Sequence, residues 1–525
     1  MKKSFNTAGP CKPDIHYVLP PLARLNLAEL EALIAAQKYF VLHAPRQTGK
    51  TTCLLALQDH LNRQGELRAL YFNVEVGQSA REDVARAMHT VLAQLGQQAE
   101  QVLKDSFVRE HSRRTLEEAG PDGALNATLA RWAEQSPKPL VMLIDEIDAL
   151  VGDSLISVLR QLRTGYTNRP ASFPQSVLLC GVRDVRDYRI HSSQHKEIIT
   201  GGSAFNIKAE SLRLGDFCPR EIAELYGQHT QATGQVFTEE AQAEAWRLTR
   251  GQPWLVNALA YEACFRMSEG KDRARPITGE VFRQAAENLI LRRDTHLDQL
   301  VDKLREERVR RVIAPMLAGE QLRQVPEDDV RYLVDLGLLR LGPKGEVEIA
   351  NAIYKEILPR VLNFTTQVSM PTLQPTWLKP DGRLDLDKLL DSFVAFWRQH
   401  GEPLLGTTDY HEVAPHLVLM AFLQRITNGE GAIEREYAVG RGRMDLCLRY
   451  AGETLPLELK VWRDGRPDPL TEGLDQLDGY LASLALSTGW LVLFDQRSGQ
   501  PPLAERTRAE RAITPAGRTV TVIRA

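Results

Sequence analysis

A chain of 525 residues is too long for one hydrophobic core, and roughly two to four domains are expected. Its 65 Lys and Arg face 68 Asp and Glu, a net charge of −3, which excludes a globally basic nucleic-acid coat and confines any such contact to a local patch. Six scattered cysteines with no C-x-x-C pair exclude a disulfide or zinc scaffold, and the lack of a long apolar run or a signal-type start predicts a cytoplasmic protein.

Residues 1–38 form an N-terminal segment with Gly9-Pro10 and Leu19-Pro20-Pro21, followed by an amphipathic stretch from Leu25 to Ala36. His16 and Tyr17 either border a nucleotide base or pack into the core. An ATPase core is predicted over 39–215. Lys38 to His43 reads as a short buried strand, and Cys53 to Leu57 continues a helix. Between them stands Ala44-Pro45-Arg46-Gln47-Thr48-Gly49-Lys50-Thr51-Thr52, a near match to the phosphate-cradling loop G-x-x-x-x-G-K-[ST]. Strand, loop and helix in that order aim the helix's first N–H groups and its positive dipole end at an anion. Lys50 is expected to reach the β- and γ-phosphates of ATP, Thr51 to hold Mg²⁺, and Gly49 to let the backbone approach. Ala44 replaces the usual first glycine and removes an easy positive φ. Thr52 reads only as the start of the helix.

Ala69 to Val74 is the next strand, with helical pattern from about Ala80 to Gln98, so strands alternate with helices and a parallel sheet is predicted. Leu140 to Ile144 is an apolar strand ending in Asp145-Glu146. That is the pattern of a magnesium-binding strand, with Asp145 on Mg²⁺ through water and Glu146 as the base that deprotonates the attacking water. Asp148 reads as a solvated charge at a helix start. Ser176 to Val182 is a fourth strand, and Arg183 at its end is placed to sense the γ-phosphate, with Arg186 and Arg189 as alternatives. His191 and His195 lie four apart on a possible helix, but no third ligand is near, and they read as surface histidines. Leu212 to Leu214 is the fifth strand.

A helical lid is predicted over 216–295, with helices at Glu221 to His229, Glu239 to Leu248 and Trp254 to Met267, and a Gly251-Gln252-Pro253 turn. Residues 296–362 suggest a winged helix: helices at Leu297 to Leu317 and Asp328 to Leu336, then short strands flanking Gly342 to Gly345. Such a module serves as a spacer or reads DNA, with Arg310, Arg311 and Arg323 as the basic supply. Residues 363–384, with Pro371, Pro375 and Pro380, read as a linker.

The last domain, 385–525, begins with helices at Leu386 to Arg398 and Val413 to Ile426. Asp445 and Glu458 follow on two strand-like runs separated by 12 residues, with Lys460 two places beyond Glu458. Adjacent antiparallel strands bring the two carboxylates together as hard ligands for Mg²⁺ or Mn²⁺. Lys460 shares the face of Glu458 and is suited to stabilise charge on a cleaved phosphodiester. Glu412 on a helix is a further ligand, and Gln476 and Tyr480 share a helix face. The alternative is a salt-bridged hairpin without chemistry.

Taken together, the first 360 or so residues resemble the prokaryotic AAA-like ATP-binding proteins of the AAA+ and STAND-type branch. Asn6 to Pro10, His16-Tyr17, the loop from Ala44 to Thr51 and Asp145 to Asp148 carry the likeness. The resemblance implies that Pro253, in Gly251-Gln252-Pro253, contacts nucleotide from the lid. It also implies work as rings or clusters, hence a homo-oligomer through the ATPase core. The C-terminal part is similar to the PD-(D/E)xK nuclease superfamily, with Asp445, Glu458 and Lys460 on its core motif and Gln476 and Tyr480 on the extension of its exonuclease branch. The expected whole is an α/β P-loop ATPase with helical lid and winged helix, followed by an α/β nuclease-like domain. In this reading ATP controls cleavage of nucleic acid, with DNA as the expected partner, in defence against foreign DNA or in DNA maintenance. The rival is a nucleotide-dependent switch whose C-terminal domain only binds a partner.

Overall fold

The computed structural model describes residues 3–184, 189–191, 198–200, 205–292, 302–317, 325–362, 370, 376–405, 414–427, 431–434 and 446–525. The chain divides into two compact units, residues 1–293 with 331–352, and residues 294–330 with 353–525.

The first unit is built on a parallel sheet of β1 (Tyr39–His43), β2 (Arg68–Asn73), β3 (Leu140–Asp145), β4 (Ser176–Gly181) and β7 (Lys208–Arg213), in the order β2-β3-β4-β1-β7. Between β4 and β7 runs a hairpin of β5 (Arg189–His191) and β6 (Ile198–Thr200). His191 therefore lies on a strand, not on the helix expected to carry it with His195, which falls outside the described residues together with Arg186. In β1 the alternation of side chains sends Tyr39 and Val41 to one face and Phe40 and Leu42 to the other. The first pair joins a core with α3 (Val84–Leu103), α5 (Ala124–Gln135) and α6 (Gly152–Thr164). The second packs against α1 (Leu27–Ala35) and α2 (Lys50–Gln64). β3 is buried along its whole length, so its apolar run has helices on both faces.

The helices expected to form a lid follow as α7 (Pro219–Thr233), α8 (Glu239–Thr249), α9 (Pro253–Tyr261) and α10 (Gly279–Arg292). α9 ends earlier than expected, in a π-helical turn over Glu262–Arg266. The N-terminal segment is anchored on this lid. Phe5 sits in an aromatic nest with Tyr17 (centroids 4.9 Å apart), Tyr226, His229, Phe237 and Phe265. Burying one such ring contributes about 2 kcal/mol. Val18 and the side-chain amide of Gln228 exchange two hydrogen bonds of 3.0 Å.

Helices α11 (Glu307–Leu317), α12 (Glu327–Asp335) and α13 (Ala352–Leu362) and the hairpin β8 (Leu339–Leu341) with β9 (Val347–Ile349) follow the element order expected of a winged helix. They are shared between the two units, since 331–352 belongs to the first and 307–317 to the second. Arg311 pairs with Asp329 at 3.4 Å, which occupies part of the expected basic supply; Arg323 lies outside the described residues.

The second unit carries a mixed sheet in the order β10-β11-β12-β13-β15-β14, comprising β10 (Gly431–Glu434), β11 (Leu446–Tyr450), β12 (Glu453–Trp462), β13 (Trp490–Asp495), β14 (Arg508–Ile513) and β15 (Thr519–Arg524). α14 (Leu386–Leu405) and α15 (Ala414–Thr427) cover one face, where Phe393, Trp397 and Phe422 meet Leu457 and Leu459. α16 (Leu470–Ser483) covers the other, with Leu477 and Leu481 on Leu491 and Leu493. The expected linker is partly core: Met370, Trp377 and Leu384 are buried in this unit, and Asp385 N–H donates to Trp377 O at 2.8 Å. Their apolar area outweighs the prolines between them.

The anchor of the N-terminal segment has a pH signature. His229 is fully buried, with Gln235 Oε1 at 3.0 Å and Arg273 Nη1 at 3.2 Å from its Nε2 and Tyr17 OH 3.2 Å from Nδ1. Burial, then Arg273, hold its pKa below the ordinary histidine value, against a raising bond to Gln235. The folded state thus binds fewer protons than the unfolded one, so the anchor's contribution is present above about pH 6.5 and declines as pH falls below it. Proteolysis within residues 3–18 should accelerate on acidification through that range. His229→Gln should flatten the response.

Candidate functional site

The C-terminal ends of β1 and β3 and the start of α2 meet at one point, as a doubly wound sheet requires of its ligand edge. Gln47 and Gly49 hold positive φ (58° and 92°), and this curls the loop so that α2 begins at Lys50. Lys50 is buried, and its Nζ donates to Ala44 O at 2.9 Å and Pro45 O at 3.0 Å. Thr48 Oγ1 closes the loop on Pro45 O at 2.9 Å, and Arg46 is exposed. Ala44 therefore contributes its carbonyl, and the absent first glycine costs no turn here: the positive φ values fall elsewhere in the loop.

Thr51 Oγ1 donates to Asp145 Oδ2 at 2.7 Å, Tyr71 OH donates to the same oxygen at 3.1 Å, and Glu146 N–H donates to Oδ1 at 2.9 Å. Asp145 is fully buried, so these bonds hold a charge that would otherwise be prohibitive. Two hard oxygens converging on one spot fit Mg²⁺, whose remaining positions water and phosphate would fill. Among the described residues no group of three or more His, Cys, Asp and Glu side chains is arranged to hold a metal. Glu146 adopts a left-handed backbone (φ 56°). Burial and then Asp148 raise its carboxyl pKa, while Lys50 and Arg46 oppose the rise. A raised pKa suits a proton acceptor. Asp148 is not a solvated charge: its Oδ1 accepts from Val182 N–H at 3.2 Å, fastening the end of β4.

These groups open into a cavity of about 230 Å³ lined by Gln47 to Cys53, Glu146, Asn6 to Cys11 and Tyr17 to Leu19, with Pro21, Arg24, Phe217, Leu225, Pro253, Trp254 and Asn257. Pro253 is thus on the wall, and Gly251 explains how. Its φ is 82°, Phe217 N–H donates to its carbonyl at 2.8 Å, and a Cβ there would lie 1.9 Å from Phe217 O. Thr52 does more than begin the helix: its Oγ1 accepts from Cys11 N–H at 3.0 Å and pins the N-terminal segment over the loop. Tyr17 both lines the cavity and packs on Phe5, whereas His16 is not on the wall.

Sequence reasoning passed over Arg24. Its guanidinium donates to Thr48 O at 2.6 Å and Gly215 O at 2.7 Å and lies 4.7 Å from the Phe217 ring centre, so it joins the phosphate loop to the start of the lid. The only signal was a lone cation in an apolar stretch. Arg183 has other partners in this structure. It does not line the cavity; Asp335 lies 3.4 Å from it and the Tyr332 ring centre 4.9 Å. Arg189 stands on β5, in the segment that connects β4 to β7 of the parallel sheet.

In the second unit, Glu458 and Lys460 lie on β12 and Gln476 and Tyr480 on α16. Lys460 Nζ is 3.0 Å from Glu458 Oε1 and 3.6 Å from Glu472 Oε1, and donates to Gln476 Oε1 at 2.6 Å. Glu458 is 1% exposed, and Tyr480 is buried beside Cys447. β11 and β12 are antiparallel as expected, with Leu446 opposite Leu457. Asp445 and Glu412 lie outside the described residues.

Residues 34–188 match the model of a protein family described as AAA domain. No curated protein matches the chain. Among solved structures, the chain is similar to a Walker-type ATPase of Pyrococcus abyssi at 13% identity and TM-score 0.46, over 67% of this chain and 99% of that one. It is similar to Cdc6p of Pyrobaculum aerophilum at 14% identity and TM-score 0.37, over 80% and 98%. The RuvB Holliday junction branch migration motor of Thermotoga maritima aligns at 15% identity and TM-score 0.33, over 64% and 93%.

Lys50→Ala should abolish tight ATP binding, read by calorimetry, because it deletes a charge-assisted contact from a buried loop. Glu146→Gln should retain ATP but slow its hydrolysis by roughly two orders of magnitude or more, and wild-type turnover should fall on acidification at a higher pH than an ordinary glutamate would give. Carrying this loop, the buried Asp145 with Glu146 beside it and the family match, residues 34–188 are an AAA-type P-loop ATPase domain.

Proposed function

We propose that this ATPase controls a metal-dependent nuclease formed by the second unit. The observation that carries the reading is the Glu458, Lys460 and Gln476 cluster. A nearly inaccessible carboxylate is held beside a lysine on one strand, and a glutamine from a packed helix fixes that lysine. A buried, paired acid on a central strand is costly to keep for packing alone. Glu458 offers a hard oxygen ligand, and Asp445, one residue before the last described step of the β11–β12 ladder, is the proposed second ligand, with Glu412 a third. A Mg²⁺ or Mn²⁺ ion bound there would activate water and neutralise phosphate charge. Lys460 would stabilise the charge that develops on the diester, with Gln476 and Tyr480 positioning it. The proposed partner is DNA, the setting cytoplasmic, the assembly a homo-oligomer through the ATPase core, and the role defence against foreign DNA or DNA maintenance. Among the described residues no helix is long and apolar enough to cross a membrane.

A second reading is a nucleotide-dependent switch whose C-terminal unit binds a partner without cutting; residues 332–337 of the first unit bear on its switching half. They dock against the ATPase core through Asp335 on Arg183 and Val334 O on Arg213, and a Cβ at Gly337 would lie 2.8 Å from Pro45 of the phosphate loop.

Cleavage of double- and single-stranded DNA with Mg²⁺ or Mn²⁺, with and without ATP, separates the two. Under the nuclease reading Asp445→Asn abolishes cutting and Lys460→Ala slows it roughly a hundredfold or more, while both variants still hydrolyse ATP. No cutting in any nucleotide state, with the biological effect intact in Asp445→Asn, establishes the switch instead.

A further inference from the structure

Tyr71 stands near the end of β2, the strand beside β3 at one end of the parallel sheet. The two strands run in register, with Tyr71 opposite Leu143 and Asn73 opposite Asp145. Alternation therefore puts Tyr71, Leu143 and Asp145 on one face, the face that α2 covers. The Tyr71 ring packs against the core beneath α2, and its backbone N–H donates to Gln58 Oε1 of that helix at 2.7 Å. None of this packing needs the hydroxyl, since a phenylalanine ring would fill the same place. The hydroxyl is spent on Asp145 Oδ2 at 3.1 Å, the oxygen that also accepts from Thr51 Oγ1 at 2.7 Å. Tyr71 does not line the cavity, so it reaches the site only through this carboxylate.

The donors on Asp145 differ in what carries them. Glu146 N–H, 2.9 Å from Oδ1, belongs to the adjoining residue and turns with it. Thr51 belongs to the phosphate loop, and a hydroxyl has one proton and two lone pairs, so Thr51 must keep its proton on Asp145 while it turns a lone pair to an ion. The Cys180 thiol of β4 also lies against this carboxylate, but a thiol is a weak donor. Tyr71 brings a strong donor from a strand that carries neither the loop nor the carboxylate. We propose that Tyr71 is a positioning residue of the Mg²⁺ site: its hydroxyl fixes Asp145, so that the carboxylate is already aimed when the ion reaches Thr51. This rests on the reading of Thr51 and Asp145 as the Mg²⁺ site. Outer partners of this kind orient the groups that hold a metal and are felt in its affinity.

The test is calorimetric binding of a non-hydrolysable ATP analogue to the full chain, first with EDTA and then over a series of Mg²⁺ concentrations. Tyr71→Phe should leave the Mg²⁺-free affinity and the melting temperature unchanged. It should raise the Mg²⁺ concentration for half-saturation roughly tenfold or more, the scale of losing an outer partner of a metal-binding group. Asp145→Asn should raise it at least as far. An equal Mg²⁺ requirement in Tyr71→Phe and wild type overturns the assignment while the ion site stands. A Tyr71→Phe chain that fails to fold, or whose Mg²⁺-free affinity falls in step, shows the hydroxyl serving the core and not the ion, and overturns it too. A wild type whose affinity ignores Mg²⁺, or an Asp145→Asn requirement equal to wild type, overturns the ion site and the assignment together. A wild type that binds no nucleotide overturns the reading of the cavity as well.

Discussion

Thr51 on Asp145 is the contact on which the first unit turns. A helix start exposes N–H groups that the helix cannot satisfy, and a strand end brings a carboxylate that the core cannot tolerate alone. The 2.7 Å bond between them joins the two, and β4 in turn is fastened by Asp148 on Val182. Strand order then matters more than strand content. β4 lies between β3 and β1, so the ends of three neighbouring strands are tied to one another around the phosphate loop. Residues far apart in the chain become a single charged edge under an apolar sheet.

Above this edge the walls come from elsewhere in the chain. Phe5 and Tyr17 commit the N-terminal segment to the lid, while Cys11 N–H on Thr52 commits it to the phosphate loop. Arg24 adds a third tie, from Thr48 O to Gly215 O across the Phe217 ring. Desolvation lowers the pKa of this half-buried guanidinium, and the cation is kept by two carbonyls and an aromatic face. A ligand that displaces the loop from Arg24 would therefore act on the lid through Gly215 and Phe217. The chemistry of the site and the position of the lid share the same few side chains.

The second unit solves a different problem with similar means. Its sheet is covered on both faces, yet β12 carries Glu458 and Lys460 between Leu457, Leu459 and Val461. Alternation sends the leucines to the α14 and α15 side and the two charged residues toward α16. There Gln476 meets Lys460, and Glu458 keeps the lysine as its neighbour. Apolar covering and a paired charge coexist because they occupy opposite faces of one strand.

The sequence by itself determined what depends on local period and local chemistry. Strand β1, the loop to Thr51, the buried run into Asp145 and the E-x-K spacing on β12 all follow from alternation, turn residues and the residue types that anions and hard cations require. It also led to some errors, each where a distant partner outweighed a local preference. Asp148 reads as solvated until β4 supplies Val182 N–H. Met370 and Trp377 read as linker until a core offers to bury them. Only the tertiary structure decided the role of Arg24, because it belongs to no local pattern. It is defined by the carbonyls of Thr48 and Gly215 that it satisfies, and that accounting depends on which segments the fold brings together.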